Sequence, residues 1–118
     1  MAGPLRFKKL PAIFYRSKMG AEPVREWLWE LPPDDRRVVG FEIATVEFGW
    51  PLGMPLCRSL GGGLWEVRIR LNRGRIARVI FFVSDGHMIL LHGFEKKSQK
   101  IPQFELELAL KRKSEYEQ

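Results

Sequence analysis

Between Leu64 and Lys96 the hydrophobic pattern has a period of two, and two turn signals cut it into three pieces. From Leu64 to Leu71, Trp65, Val67, Ile69 and Leu71 fall on one face, while Leu64, Glu66, Arg68 and Arg70 fall on the other. Asn72-Arg73-Gly74 reads as a hairpin turn, with Gly74 supplying a positive φ. Arg75 to Val83 is the returning strand, Ser84-Asp85-Gly86 a second turn, and His87 to Lys96 a third strand. Such an antiparallel meander has one face to bury, so the rest of the chain must cover it.

Helical spacing before and after the meander supplies the cover. Pro23 suits a first helical turn, and Val24, Trp27, Leu28 and Leu31 recur as one apolar stripe. Pro32-Pro33 stops that helix. Asp34 or Asp35 is placed to cap a second helix, with Val39, Ile43 and Val46 on its buried side and Gly49 at its end. Trp50 to Gly63 reads as irregular, with Gly61-Gly62-Gly63 as a flexible entry to the meander. Ala12 to Arg16 is a short apolar run suited to an edge strand. Pro102 opens a last helix with a broad apolar side of Phe104, Leu106, Leu108 and Leu110, and Lys111, Arg112 and Lys113 suit the negative end of its dipole. The expectation is one α+β domain over residues 1–118. It has two short N-terminal helices, an antiparallel sheet of three or four strands and a C-terminal helix, with the helices on one sheet face and arginines on the other.

The chain has 118 residues and a net charge of +6, from 20 Lys and Arg against 14 Asp and Glu. From Leu60 to Lys100 the basic residues are Arg68, Arg70, Arg73, Arg75, Arg78, Lys96, Lys97 and Lys100, against Glu66, Asp85 and Glu95. Guanidinium groups alternating along a strand project from one face and can hold phosphate oxygens in pairs, which suits a nucleic-acid backbone or the charge of a phosphoryl transition state. The plainer alternative is a solvated basic face, with Arg68 paired to Glu66 or Glu95. His92, within Leu90-Leu91-His92-Gly93-Phe94, is a candidate for proton transfer, as is Tyr116; His87 follows a turn.

Other chemistries lack their motifs. There is no G-x-x-x-x-G-K-[ST] loop, no G-x-S-x-G elbow and no H-E-x-x-H helix. One cysteine, Cys57, forms no internal disulfide, and neither a metal site nor a cofactor is expected. The longest apolar run, Val79 to Val83, cannot span a bilayer, and no signal peptide is read, so a cytoplasmic location is expected.

Three segments together carry a family likeness: G-L-W-E-V-R from Gly63 to Arg68, R-x-x-R-V-x-F-F from Arg75 to Phe82, and L-L-H-G-F-x-K-K-x-Q-K-x-P from Leu90 to Pro102. With the two preceding helices and the closing one, the chain resembles the RelE/ParE superfamily of bacterial toxins, in particular its HigB-like, phage-derived branch. The resemblance implies the toxin of a type II toxin–antitoxin pair, often a ribosome-dependent mRNA endoribonuclease that uses the RNA 2′-hydroxyl as nucleophile and no metal. It implies catalytic roles for Arg68, Arg78 and Lys96, with His92 or Tyr116 moving a proton, and RNA contacts from Arg70, Arg73, Arg75, Lys97 and Lys100. It implies as partners a helix-turn-helix antitoxin, the ribosome and mRNA. The same resemblance admits a DNA gyrase inhibitor or an inactive phage-derived binding module.

Overall fold

The computed structural model describes residues 7–95 and 100–118. Its elements in chain order are β1 (Ala12–Phe14), α1 (Pro23–Glu30), α2 (Pro33–Gly49), β2 (Cys57–Gly61), β3 (Leu64–Arg70), β4 (Ile76–Ser84), β5 (His87–Glu95) and α3 (Gln103–Glu117), with a single 3-10 turn at Asn72–Gly74 between β3 and β4. The fold class is the expected α+β, but the sheet is wider. Five strands run in the order β1-β5-β4-β3-β2, and β1 lies parallel to β5.

The β3-β4-β5 meander matches its sequence signals closely. At the β4–β5 turn Asp85 and Gly86 both take positive φ, 52° and 73°, as a two-residue hairpin of right-handed strands requires. At the β3–β4 turn Arg73 as well as Gly74 is left-handed. β2 lies within the Trp50 to Gly63 stretch, which reads as irregular in sequence. Of its residues only Cys57 is buried, so it carries no alternation to detect. Gly61, Gly62 and Gly63 all have positive φ and form the turn of a β2–β3 hairpin, not a loose lead-in.

One sheet face carries Val67, Ile69, Ala77, Val79, Phe81, Met88 and Leu90, and packs on Val24 and Leu31 at α1 and on Val39, Ile43 and Val46 of α2. α2 is longer than expected, and neither Asp34 nor Asp35 caps it; Pro32 holds the cap position and both acids fall in the first turn. Arg36 instead fastens the joint between the helices. Its guanidinium donates to the carbonyls of Leu28, Trp29 and Leu31 at 2.9–3.0 Å, satisfying the end of α1. Glu47, buried at the far end of α2, accepts from the Ala12 amide at 2.7 Å and pairs with Lys8 at 3.1 Å, which sets where β1 joins the sheet.

The other face is not left open. Leu64, Ile80, Phe82, Ile89 and Leu91 form a second apolar cluster there with Ile101 and Ala109, so α3 lies across it. The inner side of α3 differs from the apolar side expected. Glu105 and Ala109 are its buried residues, while Phe104 is 65% and Leu110 43% exposed. Polar contacts, described below, add to the apolar seat of the helix.

Cys57 lies in the first core, and burial pushes its thiol up to about 11. At pH 8 this leaves about a hundredfold fewer thiolates than at the ordinary value. Native protein should therefore react with a thiol reagent only as fast as the chain opens, and at once in denaturant. Rapid labelling of the native chain would contradict this burial.

Candidate nucleic-acid interface

Strand alternation puts Glu66, Arg68 and Arg70 of β3 on the face that α3 partly covers. Arg68 is cross-strand partner to Arg78, Glu66 to Ile80 and Arg70 to Ile76; on the next strand Arg78 faces Phe94 and Ile80 faces His92. α3 covers the Leu64–Ile80–Phe82 part of this face, so the arginines lie toward one end of it.

Arg78 is not a projecting clasp. It is 1% exposed and ion-paired with Glu66, itself 1% exposed. Because Arg78 is shut off from solvent on its sheet face, its charge must be matched within the fold. Glu66 also accepts from Arg58 Nη2 at 3.0 Å, and Arg58 is 43% exposed. The result is an Arg58–Glu66–Arg78 triad with one surplus positive charge, whose outer guanidinium is held at the surface. Nothing local in the sequence marks Arg58, because β2 has no burial alternation of its own.

Arg68 and Arg70 reach the edge of β3 beyond the start of β2, where Leu56 accepts from the Arg68 amide at 2.8 Å. Arg68 is partly exposed, and its buried Nε has no hydrogen-bond partner among the described residues. Arg70 is exposed. Exposed Arg73 sits at the tip of the β3–β4 turn. Exposed Lys100 and Arg58 flank a hollow of about 410 Å³ lined also by Leu60, Ile101, Gln103 and Leu106, at the approach to α3. Lys96 and Lys97, expected in the same region, lie outside the described residues.

Arg75 departs from the expected role. Its guanidinium binds both carboxylate oxygens of Asp35 at 2.8 and 2.9 Å, Glu95 at 3.0 Å and the Asn72 side chain at 2.8 Å. The hydrogen bond to Asp35 holds its proton more tightly than usual. Arg75 therefore ties the β3–β4 turn to α2 and β5 and does not present a free cation to RNA. The two carboxylates considered for Arg68 are both taken elsewhere, Glu66 by Arg58 and Arg78, and Glu95 by Arg75.

His92 stacks on Phe94, with ring centroids 5.2 Å apart, and lies one row from Arg78, about 7 Å along the strand. Its Nε2 is 2.9 Å from Glu105 Oε1, and its Nδ1 is 3.3 Å from Arg112 Nη1. Arginine can only donate, so Nδ1 accepts and Nε2 carries the proton, which it gives to Glu105. Arg112 also donates to the Leu91 carbonyl at 2.9 Å, and burial lowers its proton affinity. Nearby, buried Tyr15 donates to Glu115, and desolvation followed by that carboxylate raises its pKa. These contacts seat α3 against β5 and against Tyr15, the residue after β1. The side chain of His92 is only 13% exposed, so it sits behind the basic face.

Tyr116 is not brought to the arginines. It packs edge-on against Phe82 at 5.5 Å, four residues along β4 from Arg78 and so on the order of 13 Å away. Among the described residues no group of three or more His, Cys, Asp or Glu is arranged to hold a metal ion, and no helix is long and apolar enough to cross a membrane.

The family model described as phage-derived protein Gp49-like (DUF891) matches residues 26–114, from within α1 to within α3. No curated protein matches the chain. With the match running through both sheet faces and the arginine-bearing strands, the chain belongs to the phage-derived Gp49-like family, part of the RelE/HigB-like toxin superfamily associated with toxin–antitoxin systems.

Proposed function

We propose that this chain is the toxin of a type II toxin–antitoxin pair and inhibits translation by cutting mRNA at the ribosome. The observation that carries this reading is the rigid cation row at one end of the sheet. Glu66 clamps Arg58 at the surface, Arg68 stands beside the buried Arg78, and Lys100 and Arg70 extend the charge on either side. Guanidinium groups fixed on strands lose little freedom on binding phosphate, and the spare charge of the triad favours a polyanion. Arg58 and Arg68 would hold the RNA backbone and stabilise negative charge on the phosphorus as the 2′-hydroxyl attacks. Arg78 acts through Glu66 as a positioning residue. His92 remains the candidate for proton transfer, and to act one of its ring nitrogens has to leave Glu105 or Arg112.

Family membership implies an antitoxin partner, and this reading adds the ribosome and mRNA. Expression without an antitoxin should arrest growth, with transcripts cleaved inside coding regions. Arg58→Ala with Arg68→Ala should lower RNA affinity about tenfold per arginine, some 1.4 kcal/mol each, and flatten the salt dependence by about one unit per contact. Intact transcripts in arrested cells would reject the reading, and a DNA damage response in those cells would point to gyrase.

A further inference from the structure

The hollow of about 410 Å³ between β2 and the start of α3 holds more than two cations. Leu60 of β2, Leu106 of α3 and Ile101 before α3 make its lining largely apolar. Leu60 and Leu106 are only partly buried against the second core, so apolar surface there is still wet. Arg58 at the rim is already fixed by Glu66, and among the described residues no acid lines the hollow. Gln103 adds a carboxamide. It is exposed, and its Nε2 lies 3.4 Å from Glu107 Oε1, beyond the usual reach of such a bond, so the amide is not tied down.

We infer that this hollow takes one unstacked base of a single-stranded RNA, with the adjoining phosphate on Arg58 and Gln103 reading the edge of the base. The inference rests on the RNA reading above and adds to it a base preference. A bare anion would leave Leu60 and Leu106 wet, and an apolar ligand would leave Arg58 without a counter-charge; a base with its phosphate answers both. The volume is at the small end of ligand-sized cavities, which suits one base and its sugar. A single strand is selected because its bases can turn out of the stack, whereas those of a duplex cannot. Arg68 stands two residues along β3 from Glu66, the cross-strand partner of Arg58, on the order of 7 Å away, so a strand leaving the hollow meets a second guanidinium. A carboxamide sets a donor beside an acceptor. Adenine offers the matching pair on both of its exposed edges, so adenine is the base expected in the hollow.

The test uses the full chain and labelled strands of about six sugar-phosphate units, abasic at every position but one. That position carries a 2′-O-methyl nucleotide of adenine, guanine, cytosine or uracil, or stays abasic, so the phosphate charge is constant and nothing is cut. Fluorescence anisotropy should show the adenine strand binding about tenfold more tightly than the abasic one. Leu60→Trp, which fills the hollow from its open side, should erase that difference and leave abasic binding in place. Gln103→Ala should erase the preference for adenine over the other bases, and Gln103→Arg should move it to guanine. Gln103 is exposed, and thermal melts show that each variant keeps its fold. Equal binding of the adenine and abasic strands overturns the inference and leaves the cation row standing. Binding of neither removes the RNA reading and this inference with it. An unchanged base ranking in the Gln103 variants also overturns it, as does adenosine monophosphate binding as tightly as the adenine strand, which would mark a site for free nucleotides.

Discussion

Glu66→Ala should destabilise the chain by about 3–5 kcal/mol, a large part of the 5–15 kcal/mol typical of a domain. The carboxylate lies at 1% exposure between Arg78, equally buried, and Arg58 at the surface. Removing it leaves a guanidinium in the middle of the sheet with its main counter-charge gone. Arg58 merely loses an anchor, since it can turn to water. Arg78→Met should cost less, because Glu66 keeps Arg58. Combining Glu66→Leu with Arg78→Met should recover most of the loss, as an apolar pair replaces an ionic one of similar size. Urea denaturation of the four proteins measures this; a cost below 1 kcal/mol for Glu66→Ala would mean that the pair is not desolvated. For the same reason an Arg78→Ala variant is a poor probe of RNA cutting, since lost activity there would mix function with folding. Arg58 and Arg68 are the cleaner positions.

Gly93→Ala should cost about 1–3 kcal/mol and lower the melting temperature by roughly 5–15 °C. Gly93 is inside β5, paired with Val79, and α1 presses Trp27 onto it. A Cβ at Gly93 would fall 2.4–2.8 Å from three atoms of the Trp27 ring, a rigid indole that cannot give way as the end of a flexible side chain can. The sign is diagnostic. A glycine within a strand normally weakens it, so alanine should stabilise wherever nothing stands above the position. Trp27→Leu should relieve much of the penalty, and the two changes together should be strongly non-additive. A stabilised Gly93→Ala protein would refute the close approach of α1.

The legible parts of the fold are the ones written in local periodicity. The alternation of Leu64–Leu71 and the Asn72-Arg73-Gly74 and Ser84-Asp85-Gly86 turns placed three strands to within a residue or so, because each signal acts between chain neighbours. β2 was missed because it buries little besides Cys57 and exists by pairing with β3. The parallel docking of β1 on β5 joins segments more than 70 residues apart, and no local pattern encodes such a partner. α3 misled in another way. Its leucines suggested an apolar inner face, yet Glu105 and Arg112 turn inward to meet His92 and the Leu91 carbonyl.

The candidate site divides along the same line. Residue order alone established that arginines alternate with core residues on β3, and that this stretch is rich in positive charge, since a strand's period of two needs no knowledge of its neighbours. Which of those arginines meets solvent was settled by packing. Arg78 sits on a middle strand and is closed off by Glu66, Arg75 is held by Asp35 and Glu95 across three elements, and Arg58 emerges as the exposed member of the triad. Burial and ion pairing depend on what lies above and beside a side chain in space, and those neighbours come from remote parts of the chain.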